Sequence, residues 1–155
     1  MLRRQKLAVL AEGEGSSAET GYVLDHQVGF LMRVAMQRHT AIFTSRMIEG
    51  LTQTQFAAMA KLFEVGECSQ NHLGRLIYLD AATIKGVVDR LAARHLLTVM
   101  NDTNDRRRRA VALTDRGRQL IVAAMAVAAQ ITAETLAPLN AEEQRAAVRL
   151  LKKLC

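Results

Sequence analysis

The residues whose types and spacing most clearly indicate a chemistry are four consecutive arginines, Arg106–Arg109. They lie in a segment, residues 81–118, that holds nine lysines and arginines against four acidic residues, in a chain of 155 residues with a net charge of +6. A localised positive field of this kind suits a polyanion such as the phosphate backbone of DNA. At the tip of a hairpin one arginine could enter a minor groove, and the alternative is a solvated basic surface without a partner.

The segments before and around the arginines predict helices followed by a hairpin. Three short helices are indicated by their capping residues, Thr52, Ser69 and Asp80. Two β-like segments follow, 97–100 and 110–113, around a polar and basic turn. Because half of the residues are hydrophobic while aromatic residues are scarce, helix-on-helix packing is favoured. The predicted fold class is therefore mainly α, a winged helix-turn-helix with a two-stranded wing.

The remaining segments predict an arm and three longer helices. Residues 1–21 end in a stretch rich in glycine and serine and are expected to form an N-terminal arm. From Tyr22 to about Met47 the apolar residues form two rows, so this helix should be buried on more than one side, as at a subunit interface. Thr114 and Asn140 cap two further helices that lead to the C-terminus.

The predicted helix 81–93 has a small and polar face opposite its apolar row, which is typical of a recognition helix. Thr83 can hydrogen-bond a base edge or touch a thymine methyl group, and Lys85 can reach guanine or phosphate. Gly86 in a helix interior costs about 1 kcal/mol relative to Ala, so either close approach to DNA or close helix packing would explain it. The candidate DNA contacts on this helix are Ala82, Thr83, Lys85, Gly86 and Arg90.

Two further groups complete the candidate DNA contacts. Ser69, Gln70 and Asn71 stand at the start of the preceding helix, where free N–H groups and the helix dipole suit phosphate binding. Plain helix capping is the alternative for these three. In the wing, the candidates are Arg106, Arg107 and Arg108.

Three stretches of the sequence resemble the MarR family of bacterial transcription regulators: Asp80–Leu91, Asp105–Arg107 and Leu113–Gly117. The spacing Asp-Arg-Arg, five residues, Leu-Thr is characteristic of that family, and the resemblance extends from about Tyr22 to Leu154. It implies a winged helix-turn-helix protein that binds a palindromic operator. The family resemblance also implies repression that a small molecule relieves.

The resemblance implies an organisation of the chain as well. The helical regions 22–50 and 115–155 would join two subunits in a homodimer, and 51–114 would form the winged helix-turn-helix lobe that binds DNA. Two residues depart from the family pattern. Gly86 stands where many members carry a larger side chain, and His95 stands where members usually have glycine. His95 is therefore expected in the left-handed backbone region.

The resemblance also implies an effector site between the dimer helices and the DNA-binding lobe. The stretch Gln27–Phe43 resembles members that control breakdown of aromatic acids, some of which respond to an acyl-CoA thioester. We therefore predict an aromatic carboxylate or its CoA thioester as the effector. For any single residue, a salt bridge or a core position is the alternative. The candidate effector-binding residues are Arg33, Gln37, His39, Phe43, Phe63 and Tyr78.

Other classes of function receive less support. Cys68 precedes a helix start and has Arg75 nearby, which could lower its thiol pKa and allow redox sensing. Cys68 and His72 lie four apart, but no third group orients the histidine, so an enzyme is not predicted. The histidines and cysteines are too scattered for a metal site, and no cofactor is expected. A ligand-free architectural DNA-binding protein is the remaining alternative.

Cysteine content and hydropathy indicate the compartment. Two cysteines are too few for a disulfide framework, which implies a reducing environment. The longest uncharged stretch, 119–133, is shorter than the roughly 20 apolar residues needed to span a bilayer. A cytoplasmic protein without a membrane partner is therefore expected.

Overall fold

The computed structural model describes residues 21–101 and 109–155 and confirms the mainly α winged helix-turn-helix fold. Within these ranges the chain forms six α-helices and a small antiparallel sheet of three strands. In chain order the elements are α1 Val28–Arg46, α2 Gln53–Val65, β1 Cys68–Ser69, α3 Gln70–Leu76, α4 Ala81–Ala93, β2 Leu97–Asn101, β3 Arg109–Leu113, α5 Asp115–Leu136 and α6 Ala141–Leu151.

The chain divides into two compact units, residues 1–38 and 39–155, and the boundary falls inside α1. In the first unit the described residues form a short 3-10 helix, Leu24–His26, and the first half of α1. Apolar side chains are exposed here, among them Val28 and Leu31. The guanidinium of Arg33 lies 5.1 Å from the centre of the Phe30 ring. The first half of α1 therefore presents apolar residues that the other described residues leave exposed.

The second unit holds the hydrophobic core. Side chains from α2, α3, α4 and α5 meet the inner face of the sheet, and the largest of them are fully buried. The predicted inward row of α4 is confirmed, since each of its four members is at most 1% exposed: Ile84, Val87, Val88 and Leu91. Burial of this row fixes the rotation of α4 about its axis, so the opposite face of the helix is directed outward.

The helices begin where the sequence places their caps. Thr52 and Gln55 form the predicted capping box, with each side chain bonded to the other residue's backbone N–H. Asp80 accepts the Thr83 N–H at the start of α4, and Asn140 with Glu143 forms a second capping box before α6. These bonds satisfy N–H groups that have no partner within the helix.

The sheet contains one more strand than the sequence indicates. β2 and β3 form the predicted two-stranded wing, with Val99 opposite Val111. β1, only two residues long, pairs with the other edge of β3 and places Cys68 opposite Val111. A strand of two residues is too short to show the alternation of apolar and polar residues that predicts strands.

A close junction joins the end of α4 to the start of α5. The hydroxyl of Thr114 donates to the carbonyl oxygens of His95 and Leu96 and accepts the Gly117 N–H. A Cβ added at Gly117 would overlap the Leu96 carbonyl oxygen, so only glycine fits here. His95 has φ 57°, which confirms its expected left-handed backbone. The Leu-Thr-Asp-Arg-Gly stretch therefore ties the wing and the turn after α4 to α5.

α5 is, by length and composition alone, apolar enough to cross a membrane. In the second unit its inward residues pack into the core, where Ile121, Ala124 and Ile131 are buried. The core helix of a globular protein can have the same length and composition. Packing in the core accounts for the apolar residues on the inward face of α5.

Candidate nucleic-acid interface

The outward face of α4 is small, polar and accessible. Ala82, Thr83, Lys85 and Arg90 are exposed and Gly86 is half-buried. These are the five residues that the sequence singled out on this helix. The fully buried row on the opposite side fixes the orientation of this face.

Thr83 is oriented by the residue that caps its helix. Its hydroxyl donates to Asp80 Oδ2 at 2.8 Å, while its N–H donates to Asp80 Oδ1 at 2.8 Å. These two hydrogen bonds hold the pKa of Asp80 below its usual value, and the bond from the Thr83 backbone N–H has the larger effect. Because the hydroxyl proton is already donated, Thr83 can offer a base an acceptor oxygen and a methyl group.

Close helix packing does not explain Gly86. Among the described residues, the three atoms nearest to a Cβ added there all belong to the guanidinium of Arg90, the nearest 3.2 Å away, on the next turn of the same helix. Side chains on a helix point back toward its N-terminus, so Arg90 covers the space that Gly86 leaves. Of the two explanations considered for this glycine, close approach to DNA remains, and it requires the Arg90 side chain to move aside.

The three candidates at the start of α3 differ in their surroundings. Ser69 is the cap, and its hydroxyl oxygen accepts the His72 N–H at 3.2 Å. Asn71 is exposed. Gln70 is only 9% exposed, and its side-chain oxygen accepts a hydrogen bond from Arg109. Asn71 is thus free to reach outward, whereas the side chain of Gln70 is engaged within the protein.

Arg109 connects β3 to both helices of the helix-turn-helix. One guanidinium nitrogen donates to Gln70 Oε1 at 3.0 Å, and another donates to Asp89 Oδ1 at 2.9 Å. Lys85 donates to the second oxygen of Asp89 at 2.7 Å. Hydrogen bonds from Lys85 and then from Arg109 lower the pKa of Asp89. The last arginine of the run therefore has partners inside the protein; Arg106, Arg107 and Arg108 lie outside the described residues.

Two other cations of the basic segment also have acidic partners, which the sequence analysis missed. Glu49, on the connection between α1 and α2, lies 3.5 Å from both Arg94 and Arg116. Its backbone carbonyl also accepts a hydrogen bond from Arg94 at 2.8 Å. No local sequence signal pairs residues 45 and 67 positions apart. The net positive charge near the end of α4 and the start of α5 is consequently smaller than the sequence of residues 81–118 suggests.

The six candidate effector residues lie in different surroundings. Arg33 and Gln37 belong to the first unit and are exposed. In the second unit His39 is half-buried, its Nδ1 lies 2.9 Å from Thr135 Oγ1, and its ring neighbours that of the buried Phe43. Phe63 is half-buried beneath Arg118. Tyr78, in the turn before α4, is 84% exposed.

The conditions expected for a reactive thiol are not met at Cys68. Burial, followed by the nearby Glu67 carboxylate, raises the pKa of Cys68, so the expected lowering is wrong. Arg75 lies against His72 instead. Cys68 is in β1 while His72 is in α3, so their spacing of four residues does not place them on one face of a helix. Among residues 21–101 and 109–155 no cluster of side chains could hold a metal ion.

Comparison with known proteins gives consistent matches. A model of the MarR family matches residues 51–108. The transcriptional repressor NicR of Pseudomonas putida is 41% identical over 136 residues, 87% of this chain and 86% of that protein. A probable transcriptional regulator from Pseudomonas aeruginosa has a TM-score of 0.82 at 47% identity, covering 86% of this chain and 100% of that one. BpsR of Bordetella bronchiseptica, whose DNA binding is regulated by 6-hydroxynicotinic acid, has a TM-score of 0.80 at 42% identity, covering 86% and 96%.

Proposed function

Because the chain belongs to the MarR family of transcriptional regulators, we propose that it is a repressor that binds a palindromic operator as a homodimer. Proteins of this family regulate transcription and are not enzymes, as expected. An aromatic carboxylate releases the protein from the operator, and the protein acts in the cytoplasm, where the chromosomal DNA lies.

The outward face of α4 carries this proposal. Its buried row fixes the orientation of the helix, and its exposed face combines the small residues Ala82 and Thr83 with cations, which suits entry into a major groove. Thr83 supplies an acceptor and a methyl group, and Lys85 supplies a positive charge to bases or phosphates. Asn71 and the N–H groups at the start of α3 contact the backbone on one side. Arg106, Arg107 and Arg108 are further candidates for contacts to the phosphate backbone.

The homodimer places two copies of α4 on one duplex. The regions 22–50 and 115–155 supply the subunit interface, and 51–114 is the lobe that binds DNA. Exposed apolar side chains at both ends of the chain support this assignment: Val28, Leu31, Val34, Leu150, Leu151 and Leu154. A protein with two-fold symmetry matches half-sites with the same symmetry.

The effector proposal rests on a relative and on His39. The similar protein BpsR is regulated by 6-hydroxynicotinic acid, a ring that bears a carboxylate. In this chain His39 is half-buried beside the apolar ring of Phe43 and is oriented by Thr135. A ring nitrogen of His39 donates to the effector carboxylate, with Arg33 and Gln37 as further polar candidates and Phe63 and Tyr78 as apolar ones. Free aromatic acids are favoured over CoA thioesters because the relative's effector is a free acid.

Selection of duplexes from a random-sequence pool by the purified protein tests this function. We expect a palindromic sequence with half-sites about one helical turn apart, bound roughly 10³-fold or more tightly than random DNA. Thr83→Ala should change the base preferred at one position of each half-site, whereas Thr132→Ala, on the exposed side of α5, should not. Addition of 6-hydroxynicotinic acid should release the selected duplex.

The outcomes separate the alternatives. Weak preference among sequences would favour an architectural DNA-binding protein and contradict the repressor proposal. A selected duplex that benzoyl-CoA releases, while 6-hydroxynicotinic acid, nicotinic acid and benzoate do not, would contradict only the free-acid part. Release by peroxide in the wild type but not in Cys68→Ser would support redox control instead.

A further inference from the structure

One carboxylate on the recognition helix binds two cations at once. Asp89 accepts Lys85 Nζ on Oδ2 at 2.7 Å and an Arg109 nitrogen on Oδ1 at 2.9 Å. Arg109 also donates to Gln70 Oε1 at 3.0 Å. Lys85 and Asp89 lie one helical turn apart in α4, whereas Arg109 contacts Asp89 from β3. The three charged groups together carry a net charge of +1.

The two cations are held very differently. The Arg109 side chain is 26% exposed, and acceptors on two different helices fix its planar guanidinium. The Lys85 side chain is 62% exposed and has a single contact with its carboxylate. Exposed lysine–carboxylate pairs one turn apart are among the weakest ion pairs in proteins. Arg109 is thus the permanent partner of Asp89, and Lys85 is the exchangeable one.

This difference matters when a phosphate approaches α4. If Lys85 were the only partner of Asp89, moving its ammonium to a phosphate would leave an uncompensated carboxylate facing the anionic DNA backbone. With Arg109 in place, Asp89 stays neutralised after Lys85 has left. The presence of a second, fixed cation therefore lowers the electrostatic cost of moving the Lys85 ammonium from Asp89 to a phosphate.

We propose that Arg109 is a positioning residue for DNA binding, which neutralises Asp89 and thereby makes Lys85 available to the phosphate backbone. This proposal rests on the proposed function, because it requires that α4 faces DNA. Arg109 itself makes no contact with DNA. It acts from β3, inside the protein, through a carboxylate that the recognition helix carries.

The salt dependence of duplex binding tests this role. The probe is a fluorescein-labelled duplex that the wild-type protein selects from a random pool. Each lysine–phosphate contact contributes about 0.9 to the slope of log K against log salt. Lys85→Met should therefore lower the slope by about two per dimer. Arg109→Met should lower it by a similar amount, since Asp89 then retains Lys85, and combining the two variants should add little.

Restoring the slope is the decisive measurement. Asp89→Asn in the Arg109→Met background should return the slope toward the wild-type value, because no carboxylate remains to hold Lys85. Arg109→Lys, which keeps the charge, should restore most of it as well. Asp89→Asn alone should tighten binding several-fold, and this variant remains informative if Arg109→Met fails to fold.

Each result supports or overturns a distinct statement. Additive losses in Lys85→Met and Arg109→Met, or an Arg109→Met slope that Asp89→Asn does not restore, would overturn the positioning role. Weaker binding by Asp89→Asn alone would overturn it too. If the wild-type protein selects no duplex at all, the proposed function fails, and that failure is distinct from those above.

Discussion

Two aspartates of the same region illustrate what individual residues do. Asp80 caps α4 and orients the Thr83 hydroxyl, and both hydrogen bonds come from Thr83, three positions away. Asp89 holds Lys85 one turn away and Arg109 twenty positions away. Hydrogen bonds lower the pKa of both carboxyl groups, so both stay ionised at neutral pH. The role of Asp80 could be predicted from the sequence because a cap is local, whereas the second partner of Asp89 could not.

At the residue scale, the backbone of His95 gives a stability prediction. A left-handed backbone at a residue other than glycine costs the folded state roughly 1–2 kcal/mol. Replacement by glycine removes this strain, but the greater freedom of glycine stabilises the unfolded chain by about 0.5–1 kcal/mol. His95→Gly should therefore raise the free energy of unfolding by about 0.5–1 kcal/mol, measured by urea denaturation. The matched control is His72→Gly, in the exposed part of α3, which should lower it. A loss of stability in His95→Gly would contradict the strain.

At the scale of elements, the end of α4, the wing and the start of α5 form one connected structure. Thr114 bonds the carbonyls that follow α4 and caps α5 with the same hydroxyl. Arg109 joins β3 to α3 and α4. The position of the recognition helix is therefore set by a loop, a strand and a second helix together, and not by the helix-turn-helix alone.

Two glycine-to-alanine changes in these elements should act in opposite directions. Gly86→Ala should stabilise the protein by up to about 1 kcal/mol, since the added methyl meets only the mobile end of Arg90. Gly117→Ala should destabilise it by about 1–3 kcal/mol, because the rigid Leu96 carbonyl cannot move aside. Thermal unfolding of both variants measures this. Equal changes in stability for the two variants would contradict the close contact between Gly117 and Leu96. In a separate binding measurement, weaker duplex binding by Gly86→Ala would support close approach of α4 to DNA.

At the scale of the whole molecule, apolar residues exposed near both ends of the chain account for the proposed dimer. Val28 is 67% and Leu154 is 69% exposed, although the chain has a well-filled core elsewhere. Several exposed apolar residues on one helix, as in the first half of α1, often mark an interface. The sequence indicated this for α1, whose apolar rows lie on more than one face.

Replacing leucines of α6 by glutamate tests the dimer. Leu150 is 54% and Leu151 is 51% exposed in the protomer, so burial in a dimer contributes roughly half of the 1.5–3 kcal/mol of a fully buried leucine, for four leucines per dimer. Leu150→Glu with Leu151→Glu should therefore weaken the dimer by at least about 3 kcal/mol, or roughly 10²-fold. Light scattering after size-exclusion chromatography should then show a monomer. Lys152→Glu with Lys153→Glu, which adds the same two glutamates next along the chain, should remain a dimer; a monomeric wild type would refute the proposal.

The helix starts, the buried row of α4 and the two strands of the wing could be predicted from the order of residues, because caps and the spacing of apolar residues are local features. The left-handed backbone of His95 was expected from the family resemblance, since members usually have glycine at this position. The net positive charge around the basic segment was overestimated because Glu49, from a distant part of the chain, places one negative charge 3.5 Å from both Arg94 and Arg116.

Whether Arg109 and Gln70 are available for binding could not be predicted from the order of residues, because it depends on contacts between distant segments. Arg109 belongs to the run from which the sequence analysis began, yet it lies inside the protein against Asp89 and Gln70. β1 and the altered surroundings of Cys68 likewise arise from pairing with β3. Charge and hydrogen-bonding capacity are properties of a residue, but whether they face solvent or another side chain is settled when distant segments pack together.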